Sequence, residues 1–339
     1  MLSNQHQPLR SYSADQGREI AAMLEGSTIL ITGGLGLMGL SMLGYVEYLR
    51  QTFSVEINLT LTAKTDAALP MSKSFGADFE FLRGNLEDVS FLDRLPEFDF
   101  IIHAAGYGQP GRFLLDPFST LSVNSFATIK LRRKAKSGFL FVSSSEIYSG
   151  LESSQISEDE IGTTSPIHPR SPYIEGKRFG ETATLLESNY GAKYGSVARL
   201  SLAYGPGTRL DDQRVMSELI VRGITDGAVN LRDPGDRLRT YCYTEDAVEM
   251  LFGVLMKGAG QVFNVGGHST TSIRQLGQLI ALRLGVKFSA PEVALQPDSS
   301  PVNVSIDVSK VSSLIGKEDF VSLELGLEQT IDWYIGLLK

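Results

Sequence analysis

The sequence predicts an α/β protein, a doubly wound parallel sheet with a smaller interleaved C-terminal region, on three observations. Short apolar runs of strand length alternate with segments of helical period as far as Leu202. Glycines crowd the turn straight after the first of these runs. After Tyr204 the regular alternation gives way to charged loops and amphipathic segments. Strands that alternate with helices bury both faces of a sheet by running parallel beneath their crossover helices.

The elements follow in order. Residues 1–12 are polar and show no periodicity, and Asp15 to Glu25 sets Ile20, Met23 and Leu24 on one side of a short helix that Gly26 ends, making an N-terminal extension of 1–26. Thr28-Ile29-Leu30-Ile31 has the makeup of a buried strand, and an apolar helix from Met38 to about Leu49 follows the glycines. Ile57 to Thr62, Phe79 to Leu82 and Phe98 to His103 read as further strands, Thr120 to Lys136 as one helix, and Phe139 to Val142 as a strand. Pro172 to Tyr190 is helical, with Ser171 at the N-cap and proline at the first helical position. Tyr194 to Leu202 is a strand, Arg232 to Arg239 a charged loop, Gln261 to Val265 a strand and Thr271 to Leu284 an amphipathic helix.

Composition narrows the function. A chain of 339 residues with 42% hydrophobic content buries a core without cross-links, and it carries too much apolar side chain for disorder. The net charge of −8 supplies no field for nucleic acid. No apolar run approaches the roughly 20 residues of a membrane span, and the N-terminus lacks the basic-then-apolar signal pattern. A single cysteine, Cys242, excludes an internal disulfide and suits a reducing compartment, so a cytoplasmic location is expected. The four histidines are scattered without ligand spacing, so no metal is expected.

The glycine turn is the first functional signal. Gly33-x-x-Gly36-x-x-Gly39 lies between the first strand and its helix. Glycines there let the backbone turn tightly against a pyrophosphate, which the free N–H groups of the helix start receive. Residues 27–203 are therefore expected to form a dinucleotide-binding unit that also receives 236–265, leaving 204–235 and 266–339 as a substrate-binding region. The second strand ends Leu61-Thr62-Ala63-Lys64, without the carboxylate that meets an adenosine ribose. Lys64 is either a solvated lysine or a residue that tolerates a 2′-phosphate, which leaves NAD against NADP open.

The second signal is Tyr173-Ile174-Glu175-Gly176-Lys177, whose ends share one face of a helix. Alone such a pair is an ordinary helix surface. Behind a dinucleotide loop it suits oxidation of an alcohol, because an ammonium beside the phenol favours the phenolate that must take the hydroxyl proton. Ser143-Ser144-Ser145-Glu146 follows a strand at the carboxyl edge, where ligands bind in such sheets. Arg214 and Arg239 are candidates to meet phosphate or carboxylate.

In this order these residues resemble the extended short-chain dehydrogenase/reductases, the NAD-dependent epimerase/dehydratase family that modifies nucleotide sugars. The resemblance runs from Thr28 to the C-terminus and rests on the glycine loop, His103-Ala104-Ala105-Gly106, Asn124, Ser144, Tyr173, Lys177 and Tyr204-Gly205-Pro206. It implies a Rossmann-type fold, a homodimer formed by helix packing, and a catalytic triad of Ser144, Tyr173 and Lys177. Bound NAD would be contacted by Gly33, Gly36, Leu37, Met38, Lys64, Asn85 and Leu86. Ala104, Ala105, Gly106, Asn124, Tyr173, Lys177 and Leu200 would complete that set.

Within the family the sequence is most similar to UDP-glucuronate decarboxylases, through Ser144 to Tyr148, Pro166 to Arg178 and Leu210 to Val215. That likeness implies a nucleotide-sugar substrate, with Glu146 and Arg239 at the reacting end of the sugar and with Ser145, Tyr107 and Arg214 as further contacts. Oxidation at C4 would make the C6 carboxylate a β-keto acid that loses carbon dioxide. The related 4,6-dehydratases carry Asp-Glu where this chain has Ser145-Glu146. Leu202 stands in place of a usual asparagine, Asn85 in place of an aspartate, and Tyr107 to Arg112 departs from the decarboxylase pattern. Epimerisation, oxidation or dehydration of another nucleotide sugar, and a non-catalytic nicotinamide sensor, are the competing readings.

Overall fold

The computed structural model describes residues 12–75, 78–151, 155–186, 194–268, 270–293 and 303–338. The polar start at 1–11 and residues 187–190 of the helix expected to reach Tyr190 lie outside them, and that helix ends at Leu185. The first half runs α1 (Ala14–Leu24), β1 (Thr28–Thr32), α2 (Leu37–Phe53), β2 (Asn58–Ala63), α3 (Leu69–Ser72), β3 (Glu80–Arg83), α4 (Val89–Arg94) and β4 (Phe98–His103). It continues with α5 (Pro110–Phe113), α6 (Pro117–Asn124), α7 (Phe126–Arg132), β5 (Ala135–Ser144), a 3-10 turn (Ser145–Tyr148) and α8 (Ser171–Leu185). The second half runs β6 (Tyr194–Leu200), β7 (Leu202–Tyr204), α9 (Val215–Asp226), β8 (Ala228–Asn230), β9 (Leu238–Tyr243), α10 (Thr244–Lys257) and β10 (Val262–Val265). It closes with β11 (Thr270–Ser272), α11 (Ile273–Leu284), β12 (Lys287–Ser289), β13 (Asn303–Val304), α12 (Ser309–Ile315) and α13 (Leu323–Leu338).

The central sheet has seven strands in the order β10-β6-β5-β4-β1-β2-β3, and every pair is parallel. The order reverses between β1 and β4, so their carboxyl ends frame a crevice. Ile29, Leu30 and Ile31 of β1 are fully buried, as expected of a strand covered on both faces. Outside the central sheet, β9 pairs with β7, β11 and β13, and β8 pairs with β12.

Four sequence expectations are corrected. The helix expected over Thr120 to Lys136 is two, broken at Ser125. Side chains of Thr120, Asn124, Ser125 and Thr128 each donate to the carbonyl four residues back, which bends a helix. Ala135 and Lys136 then belong to β5, where Ala135 pairs with Phe98. The N-cap of α8 is Arg170, because the Ser171 hydroxyl donates instead to Pro166 O at 2.6 Å. The strand expected to end at Leu202 leaves the central sheet at Ser201, whose N–H bonds to Val265 O, and Leu202 pairs with Tyr241 in the small sheet. Leu238 and Arg239, expected in a charged loop, begin β9.

Candidate active site

A cavity of about 750 Å³ opens along the carboxyl ends of the central strands and extends to the small sheet. One end is the glycine turn. Gly33 has φ +69°, and a Cβ there would lie 2.9 Å from Ala104 O. At Gly39 a Cβ would meet the Gly34 backbone at 2.4 Å, so these glycines let the turn close on itself and on the end of β4. The N-terminus of α2 carries no side-chain cap, and Gly36, Leu37 and Met38 line the cavity. Its first N–H groups therefore have no intrahelical partner, which fits a diphosphate.

The floor beside it is set by His103, which is fully buried. Its Nε2 lies 3.0 Å from Val123 O and must donate there, so Nδ1 accepts from the Thr32 hydroxyl at 2.7 Å. Thr32 in turn accepts from Ala105 N–H. Burial pushes the imidazole down to about 3, so the ring stays neutral while it fixes Ala104, Ala105 and Gly106 against the cavity. Farther out, Lys64 ion-pairs with Glu87 at 3.3 Å, and Asn85 Oδ1 accepts from Glu87 N–H. Asn85, Leu86, Glu87 and Lys64 all line this end, with no carboxylate on β2 itself.

The centre holds Ser144, Tyr173 and Lys177, brought together from the end of β5 and the first turns of α8. Tyr173 stacks on Phe113 with ring centroids 4.6 Å apart. Burial pushes its phenol up to about 12, opposed by the hydrogen bond with Ser144. The Lys177 ammonium lies 5.7 Å from the Tyr173 ring centroid and donates to Val142 O at 2.8 Å. Burial also brings this amine down to about 7, and Glu181 opposes that. Desolvation thus favours the neutral phenol and the neutral amine, and a cation bound beside them would shift Tyr173 towards the phenolate. Asn124 does not line the cavity; its Nδ2 is spent on Thr120 O, and its buried Oδ1 has no protein partner. Leu200, at the end of β6, does line it.

The opposite end is built from the 3-10 turn and the small sheet. Glu146 Oε1 accepts from Arg170 at 2.8 Å, while its buried Oε2 has no partner. Arg214 reaches the cavity but grips Asp212 with Nε and Nη2, and Nη1 donates to Ala203 O. Arg239 and Arg237 line the same end; burial pulls Arg239 below its ordinary value, and the neighbouring Arg237 and Arg170 act in the same direction. Ser145, Tyr107 and Leu202 also line the cavity. Sequence reasoning missed Arg170, Phe113 and Arg237. Arg170 sits one helical turn before Tyr173, a spacing that carries the signal; Phe113 lies in a segment without periodicity.

The structure thus joins a dinucleotide cradle to a phenol–amine pair and a basic pocket. Among the described residues no group of side chains could hold a metal ion, and no helix is long and apolar enough to cross a membrane. The family model for the NAD dependent epimerase/dehydratase family matches residues 29–266. UDP-glucuronic acid decarboxylase 6 of Arabidopsis thaliana is 29% identical over 88% of this chain and 86% of its own. UDP-glucuronic acid decarboxylase 1 of Xenopus tropicalis is 27% identical over 90% of this chain and 72% of its own. An epimerase of Methanothermobacter thermautotrophicus superposes with a TM-score of 0.81 at 19% identity, over 96% of both chains, a likeness of fold.

Proposed function

Because the chain belongs to the NAD-dependent epimerase/dehydratase family, we propose that it oxidises C4 of a nucleotide sugar and decarboxylates a UDP-glucuronate-like uronic acid. The observation that supports this best is the pairing, in one cavity, of the Ser144–Tyr173–Lys177 cluster with a carboxylate and two arginines, Glu146, Arg170 and Arg239. Bound NAD would accept the C4 hydride and return it after carbon dioxide has left. Tyr173 would take the C4 hydroxyl proton and give it back, with Ser144 orienting that hydroxyl and Lys177 favouring the phenolate. Arg239 would bind the anionic substrate, and Glu146 Oε2 would accept from a sugar hydroxyl. Ser145 supplies no acid for a leaving hydroxyl, which speaks against 4,6-dehydration. The curated relatives named above support the same substrate class.

The test is incubation of the purified protein and NAD with UDP-glucuronate, with carbon dioxide and the pentose product followed by NMR. Failure across a panel of nucleotide uronic acids would overturn decarboxylation, and conversion of neutral nucleotide sugars would move the reading to epimerisation or oxidation. A homodimer belongs to the same proposal. Leu115 and Phe118 are 86% and 82% exposed, and Phe179 is exposed on α8, which packs on α6. Such a patch suits helix packing between two copies; a monomer in sedimentation would remove it.

A further inference from the structure

Arg170 occupies a position that the reaction chemistry does not explain. Its side chain is 10% exposed, an expensive place for a guanidinium unless it is paired. Nη1 donates to Glu146 Oε1 at 2.8 Å. Its guanidinium lies 5.9 Å from the Phe113 ring centroid, and Phe113 is the ring stacked on Tyr173. As the N-cap of α8, Arg170 also accepts at its carbonyl from Tyr173 N–H and Ile174 N–H. One residue thus touches the carboxylate at the sugar end, the ring that covers the phenol, and the backbone that carries the phenol.

The Glu146 carboxylate is saturated on one side only. Oε2 is buried without a protein partner, and a buried unsatisfied acceptor persists where a ligand donor completes it. The bond from Arg170 fixes which oxygen is left over. Backbone N–H of Glu146 bonds to Ser144 Oγ, so the same turn sets the serine hydroxyl.

We propose that Arg170 is a positioning residue: it holds Glu146 with Oε2 presented to the sugar and braces Phe113 against Tyr173, aligning both ends of the sugar ring for C4 oxidation. This rests on the nucleotide-sugar reading, and it assigns the alignment to a side chain that touches neither hydride nor proton. A misplacement of about 1 Å at a reacting centre lowers rates about 100-fold.

The test is a cycle of Arg170→Met, Glu146→Gln and the double variant, with Arg170→Lys as rescue. Wild type is first mixed with NAD and the nucleotide-sugar panel, and product formation is followed by NMR. If no sugar is converted, the functional reading fails, and Arg170 is not implicated. Given turnover, Arg170→Met should lower kcat about 100-fold with KM changed less than about 3-fold. NAD affinity should hold, Arg170→Lys should recover part of the loss, and the double variant should be less slow than the product of the two single losses. Multiplying losses in the double variant, or a loss wholly in KM, would overturn the proposal. Should Arg170→Met fail to fold, Arg170→Lys replaces it in the same cycle, where wild-type kcat overturns the proposal.

Discussion

Replacing Lys177 with methionine should stabilise the cofactor-free protein, and by less as the pH rises. The folded amine is brought down to about 7 from its ordinary 10.5. Below pH 7 it is protonated both folded and unfolded, and the folded state bears the whole burden of a buried ammonium. The difference corresponds to about 5 kcal/mol. Above pH 7 the folded amine is neutral while the unfolded chain still binds the proton, so wild-type stability climbs by about 1.4 kcal/mol per pH unit until 10.5. Methionine has no such slope. Between pH 7 and 9 the gap between variant and wild type should therefore close by about 3 kcal/mol. With an unfolding entropy of about 2.1 cal/mol/K per residue, that is about 4 °C in Tm for a chain of this length. The lost hydrogen bond to Val142 O offsets about 1 kcal/mol at every pH and leaves the slope unchanged. Thermal and urea unfolding of both proteins from pH 6 to 9 measure it. A gap that stays flat would refute the placement of Lys177 as a desolvated amine.

Three further outcomes follow from the same geometry. Tyr173→Phe should lower turnover by about 100-fold to 10,000-fold while leaving NAD affinity within a few fold, read by stopped flow and calorimetry. Gly33→Ala forces a Cβ to within 2.9 Å of Ala104 O at φ +69°; it should destabilise the protein by about 1–3 kcal/mol and weaken dinucleotide binding, checked by urea unfolding and titration. Glu181→Gln strips the carboxylate from Arg199, a pair 2.8 Å apart with both side chains under 10% exposed, and should lower stability by about 3–5 kcal/mol in the same unfolding assay.

The parallel sheet was legible because its strands are continuous apolar runs, and burial on both faces leaves no other reading of Ile29 to Ile31 or Phe139 to Val142. The glycine turn and the Tyr173–Lys177 pair were legible because their spacing is set by local backbone geometry. Part of what escaped depends on contacts between segments distant in the chain. Nothing local in Leu202 says that the chain changes sheets at Ser201; that is decided by pairing with Tyr241. The helix break at Ser125 comes from four side chains bonding backwards, which helical period does not register. Arg214 lines the cavity as its charge suggested, and Asp212, two residues earlier, also grips it. Phe113 gains its place on Tyr173 through the fold alone.

The histidine beneath the cofactor end has a practical consequence. A buried imidazole that both donates to a carbonyl and accepts from a threonine has no room for a second proton, and His103 is held down to about 3. It is the residue whose ordinary titration would fall in the middle of any assay range. With His103 silent, a limb found near neutrality in a kinetic profile can be sought in the Lys177 amine, which burial brings down to about 7.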